Sequence, residues 1–427
     1  MGCFPKLREK GCVYVDKTAY FHRLITAPDD NCFFLARPRR FGKSLMISTL
    51  QAIFEGRREL FEGLDISRTD WAWEKYPVLY FNFGFASAIS AEDFAKTFPG
   101  EVKRAIVSAE MTYDIHEDAS TNFGNAIDVL NERNNGHGVV ILIDEYDDPV
   151  AQLLHKPDEA EAVRARLAAF YHQMKDRVGK IRFLMITGVS KFTKMSVFSA
   201  LSNLVDLSFD EVSAAMLGYT EEELDRYFAD RMSLHAQRLG LSYGAYRAEL
   251  KRWFNGYRFG KFSTAKVYNP VSIGVNLKKM EPVMIPSWAE TGKSSMLMNY
   301  LNRQEYLSVN TEEITGVEER EFDVTDIRRL KTIPMLYQTG YLTIREYNPM
   351  TRTYDLGIPN EEVRQDLATL TMEAMTDGNA DWAPSLGAKC CATAGLSSSK
   401  ASSHSSPACL TAPGSKTSKS FHTSGYC

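Results

Sequence analysis

A short apolar run, Phe33-Phe34-Leu35-Ala36, leads straight into Arg37-Pro38-Arg39-Arg40-Phe41-Gly42-Lys43-Ser44, and a helix-compatible stretch, Leu45 to Leu50, follows. This is a strand, a basic turn ending in Gly-Lys-Ser, and a helix. The order aims backbone N–H groups and one lysine at a phosphate chain, because the first turn of a helix carries unsatisfied donors and the positive end of its dipole. Further along, Val139-Val140-Ile141-Leu142-Ile143 runs into Asp144-Glu145. A strand that is apolar on both faces suits the middle of a parallel sheet covered by helices on each side. Together the two segments predict a nucleoside-triphosphate site at the carboxyl ends of parallel strands.

Each residue of the two segments has a chemical task on this reading. The predicted nucleotide-binding stretch is Arg39, Arg40, Phe41, Gly42, Lys43, Ser44 and Leu45. Gly42 lets the backbone approach the phosphates, Lys43 reaches the β/γ oxygens, and Ser44 ligates Mg²⁺. Arg37 stands where the usual loop has its first glycine, and Pro38 holds it extended, so proline shapes this turn. Arg37, Arg39 and Arg40 add charge for phosphates or for a neighbouring subunit. Asp144 is the second metal ligand, and Glu145 is the general base for water. The plainer alternative is a basic surface turn before an ordinary helix, with Asp144 and Glu145 capping the helix after them. A second Gly292-Lys293-Ser294 lacks a preceding apolar strand and reads as chance.

A third apolar run, Ile181 to Ile186, ends in Thr187-Gly188-Val189-Ser190-Lys191. Thr187, with Ser190 as the second choice, is placed to sense the γ-phosphate; the alternative is a polar turn after a buried strand. Pro77 to Phe83 and Asn203 to Phe209 read as two more strands. Helical segments are expected near Ala91–Glu110, Ser120–Asn134 and Asp158–Val178. Asp16 is a plausible N-cap for a helix through Ile25 that either lies over the nucleotide base or packs on the core. The fold class is therefore α/β, a phosphate-loop sheet with helices on both faces spanning residues 10–215. From Gly218 strands give way to helices, and Thr220-Glu221-Glu222-Glu223 opens one as a capping box. Residues 216–345 read as a mostly helical module. In it, the aromatic turns around Trp253–Phe259 and Tyr268-Asn269-Pro270 pack on the core or bring Arg258 to the γ-phosphate.

The formal net charge is −4, and the segment from Trp382 onward holds four lysines and no acids, which leaves −8 on the rest. Such a body has no global pull toward nucleic acid. No apolar run is long enough to span a membrane, and the N-terminus lacks a secretory leader. Seven cysteines cluster at the two ends without metal spacing, which fits a reducing cytoplasm. The tail, 382–427, is rich in Ser, Ala, Thr and Lys; it is expected to be disordered. Its abrupt composition points to a shifted reading frame or a truncated gene product.

An ordered series of motifs goes beyond these generic signals. Val15-Asp16-Lys17-Thr18, the Arg37–Ser44 loop, Leu142 to Asp147, Thr187 to Phe192, Ser199 to Leu204, Gly218 to Leu224, Asn255 to Phe259, Val267 to Ser272 and Trp288 to Gly292 follow one another. The series resembles the AAA-ATPase-like family of bacterial and protist proteins, which often carry a C-terminal PD-(D/E)XK nuclease-like domain. The resemblance runs from Lys10 to Asn360, and arginine in place of the first loop glycine is a mark of that family. It implies the phosphate-loop fold and ATP as ligand; the residues themselves point to hydrolysis of ATP with Mg²⁺, with Glu145, Lys43 and Thr187 as the catalytic set. No acid pair followed by a Glu-x-Lys strand occurs here, so nuclease activity is not implied, and 346–381 reads as a remnant connector. Slow hydrolysis would suit a switch. The alternatives are a nucleotide-gated interaction module with negligible turnover, acting through a protein partner or a homo-oligomer, and a nucleic-acid-associated ATPase.

Overall fold

The computed structural model describes residues 3–86, 88–191, 201, 203–282, 284, 286, 297, 300, 314–322 and 327–376, the last six by backbone alone. Five strands, β1 (Cys32–Ala36), β2 (Val78–Asn82), β3 (Val139–Asp144), β4 (Ile181–Gly188) and β5 (Val205–Asp206), form one sheet in the order β2-β3-β4-β1-β5. All four pairings are parallel. Strand β4 thus separates the phosphate-loop strand from the Asp-Glu strand. Its register sets Ala36 beside Gly188 and Ile143 beside Ile186, so the carboxyl ends of the three strands line up.

Both faces of the sheet are covered. Side chains alternate along a strand, and the pairings put Phe183 and Phe81 on opposite faces. Phe183 meets Phe54 of helix α3 (Lys43–Phe54), ring centroids 5.1 Å apart. Phe81 meets Phe123 of α5 (Ala119–Arg133) at 5.1 Å and Phe170 of α7 (Pro157–His172) at 5.4 Å. The intervening helices are α4 (Ala91–Ser108) and α6 (Asp148–Gln152); α1 (Phe4–Glu9) and α2 (Thr18–Ile25) precede β1. The helix expected over Asp158–Val178 stops at His172. The chain then turns 3-10 over Lys175–Lys180, where Arg177 and Lys180 both grip Asp128.

Helices α8 (Glu221–Arg238), α9 (Tyr243–Phe254) and α10 (Pro270–Lys278) follow, and Thr220 with Glu223 forms the expected capping box. They enclose a core of their own around Leu224, Met232, Leu250, Phe254 and Ile273. Beside these helices the second half holds a three-stranded antiparallel sheet that the sequence reading did not single out. It contains β6 (Ile314–Glu318), β7 (Thr343–Asn348) and β8 (Thr353–Gly357), ordered β6-β8-β7, with α11 (Thr332–Thr339) before the hairpin and α12 (Glu361–Thr376) after it. Within 346–381, read in sequence as a connector, residues between 354 and 370 join the main core. Tyr354, Leu356, Val363 and Leu367 are buried, and Tyr354 stacks on Phe209 at 5.4 Å. The motif Trp288 to Gly292, the second Gly-Lys-Ser, parts of Ser199 to Leu204 and the tail 382–427 lie outside the described residues. Among the described residues no helix is long and apolar enough to cross a membrane.

Candidate functional site

The phosphate loop begins where β1 ends and closes where α3 begins. Gly42 adopts φ +96°, a left-handed conformation open to glycine at no steric cost, and serves as the N-cap of α3. The free N–H groups of the first turn, Lys43 to Leu45, therefore face the loop. Lys43 is buried and curls back, its Nζ donating to the carbonyls of Arg37 (3.1 Å) and Pro38 (3.4 Å).

The four side chains before Gly42 go to different places. Arg37 does not face the phosphates or a neighbouring subunit as expected. It is 2 % exposed; its guanidinium donates to the carbonyls of Ser208 (2.7 Å) and Ser213 (3.4 Å) and lies 4.2 Å from the Phe259 ring. Burial pulls it down to about 10, still cationic at neutral pH. Arg39 pairs with Asp148 at 3.0 Å, at the start of α6. Arg40 takes φ +71° and is half-buried in the field of Glu362 and Asp366 of α12. Phe41 is buried edge-on against Tyr257 (4.8 Å) and Phe259 (5.2 Å), so any ligand contact it makes is through its backbone.

Opposite the loop, Asp144 is fully buried at the end of β3. Burial, then the charge of Glu145, raises its carboxyl, while the nearby Ser44 and Thr187 hydroxyls and the charge of Lys43 oppose that rise. One oxygen, Oδ1, accepts from Thr187 Oγ1 (2.7 Å) and from the Glu145 N–H (3.1 Å); the other, Oδ2, is buried with no hydrogen-bond partner. Glu145 takes φ +52°, a strained conformation for this residue. Its Oε1 lies 3.7 Å from Lys43 Nζ, and its Oε2 is likewise buried and unpartnered. An orphaned carboxylate oxygen beside a serine hydroxyl, at a helix N-terminus, is an all-oxygen donor set that fits Mg²⁺.

The structure thus brings Lys43, Ser44, Asp144, Glu145 and Thr187 together. Thr187 is buried with its hydroxyl engaged by Asp144. Ser190 faces elsewhere, donating from both N (2.7 Å) and Oγ (2.5 Å) to Asp147 Oδ2. Asp147 and Asp148 follow Glu145 in sequence as further acids, yet neither faces the loop's phosphate side as an unpaired charge. Burial and Glu145 push Asp147 up to about 6, against the lowering effect of its donors. Arg258 is a structural residue, its guanidinium donating to the carbonyls of Arg345 (2.8 Å) and Lys261 (2.7 Å). Asp16 bonds Thr18 N and Asp65 N, and Lys17 ties this segment to Glu223 and the Ala215 carbonyl. The segment before α2 is therefore a seam with α8.

The family described as Predicted AAA-ATPase (AAA-ATPase_like) matches residues 1–198. An uncharacterized protein in the vnfD 5′ region of Azotobacter chroococcum mcd 1 is 34% identical over 373 residues, spanning 85% of this chain and 67% of that protein. The ORC2 protein of Aeropyrum pernix, solved in ADPNP-ADP complexes, aligns over 86% of this chain and 93% of its own at 12% identity. Its TM-score of 0.29 is too low to carry an argument.

Proposed function

The chain belongs to the predicted AAA-ATPase family, and from that premise we propose that it binds ATP with Mg²⁺ at Arg39–Leu45 and hydrolyses it slowly, as a switch. The observation that carries this reading is the 3.7 Å approach of Lys43 Nζ to Glu145 Oε1, which joins the loop to the acid strand. Entering phosphates would take Lys43 from the two loop carbonyls and receive the N–H groups of the first turn of α3. Ser44 and Asp144 would hold the metal, which supplies positive charge against the β- and γ-phosphate oxygens. Glu145 Oε2, buried and without a hydrogen-bond partner, is the acceptor for a proton from water. Thr187 acts through Asp144, since its hydroxyl is bonded there.

A second reading, a nucleotide-gated interaction module with negligible turnover, is favoured by Phe41 and Arg37, which pack the loop directly on Tyr257 and Phe259 of the second half. Titration with ATP and GTP, with and without Mg²⁺, followed by phosphate release in Glu145→Gln, separates the two. On the first reading nucleotide stays bound and phosphate release falls about 100-fold or more. Equal release by Glu145→Gln and wild type would leave the gating reading, and no nucleotide binding at all would end both.

A further inference from the structure

Building on that reading, we propose that Asp147 is a positioning residue that fixes the metal-ligating geometry of Asp144 by clamping the turn after β4. Asp147 is 1 % exposed, and its carboxylate is engaged by the turn that follows β4. Its carboxylate receives Val189 N at 3.1 Å, Ser190 N at 2.7 Å and Ser190 Oγ at 2.5 Å. Tyr146 completes the clamp from the same strand end. Its N–H donates to the Thr187 carbonyl (3.0 Å) and its hydroxyl to the Ser190 carbonyl (3.0 Å).

These bonds make 144–147 and 187–190 one frame. At its near end Thr187 Oγ1 holds Asp144 Oδ1, which leaves Oδ2 buried and without a hydrogen-bond partner. At its far end Lys191 is fixed by Asp206 (2.9 Å), by the Phe209 ring and by Gln338 of α11. Gly188 lies between the two ends, where a Cβ would overlap Asp147 Oδ1 and the Tyr146 ring. The frame closes only with glycine there. A carboxylate suits the clamp because it accepts three donors at once, whereas an amide turns an N–H group on at least one of them. Loosening the turn would let Thr187 leave Asp144, and Oδ1 and Oδ2 would then exchange roles.

The test compares wild type with Asp147→Asn and Ser190→Ala, the latter keeping both backbone donors. ATP affinity is measured with and without Mg²⁺, and amide exchange is followed over 187–191. We expect Asp147→Asn to bind metal-free ATP within about threefold of wild type. The gain in affinity on adding Mg²⁺ should shrink tenfold or more, and the Val189 and Ser190 amides should exchange at least tenfold faster. Ser190→Ala should show the same pattern within about fivefold; it also carries the test if Asp147→Asn does not fold. Equal losses with and without Mg²⁺, in step with a lower melting temperature, would make Asp147 merely structural and overturn the proposal. An unchanged Mg²⁺ gain, or unchanged exchange at 189–190, would do the same. Failure of the wild type to bind ATP would instead sink the functional reading, and amide exchange alone would still judge the clamp.

Discussion

The two halves of the phosphate loop are built on opposite plans. The front half, Arg37 and Pro38, is anchored inward: the Arg37 guanidinium is buried among carbonyls of Ser208 and Ser213 and covered by Phe259. The back half, Gly42 to Ser44, opens helix α3, and its lysine is held by the loop's own Arg37 and Pro38 carbonyls and by the approach of Glu145. One end is a fixture of the fold and the other is an instrument. Three arginines in four residues therefore have three fates, and residue type alone does not distinguish them.

That contrast can be broken by mutation. The largest effect is expected for Arg37→Met, which strips the guanidinium donor from the carbonyls of Ala36, Ser208 and Ser213. Thermal or denaturant unfolding should lose about 3 kcal/mol or more, while ATP affinity below the transition moves less than tenfold. A stable Arg37→Met with poor ATP binding would reverse the assignment of the front half. Lys43→Ala should behave oppositely: ATP binds about 10–100-fold more weakly by calorimetry, the loss of one charge-assisted contact. Its stability should stay within about 1 kcal/mol. Unchanged affinity in that variant would remove the phosphate loop as a binding element. Arg39→Ala is the smallest, because its partner Asp148 is reached from a partly exposed position. It should cost about 0.5 kcal/mol of stability, and a many-fold loss of ATP affinity would show that Arg39 leaves Asp148 for the ligand.

The sheet was legible because its strands are apolar on both faces, a pattern that few other structures accept. The runs Phe33–Ala36, Val139–Ile143 and Ile181–Ile186 fall where expected. The convergence of Lys43, Ser44, Asp144 and Glu145 was legible for a similar reason, since parallel strands bring their carboxyl ends to one rim. Direction and burial of individual side chains were not. Asp144 and Asp147 are the same letter three places apart, yet across the strained turn at Glu145 one bonds Thr187 at the strand end and the other the Val189–Ser190 turn. The β7–β8 hairpin was passed over although Asn348-Pro349 sits between runs rich in Thr and Tyr. Asn348 makes that turn by accepting from Met350 N and Thr351 N, a local signal outweighed by the helical stretch before it. Gly188 offered the one letter-level hint of the clamp: a glycine directly after a buried strand marks a close approach by something else.

Arg37 also constrains how such a chain could change over time. Reverting it to the glycine of ordinary phosphate loops would not yield an ordinary loop. It would leave a hole under Phe259 and take the guanidinium donor from the carbonyls of Ala36, Ser208 and Ser213. The first loop position, the Ser208–Ser213 turn and the Phe259 aromatic must therefore be exchanged as a set, and a loop transplanted without its two distant companions should fail to support its host.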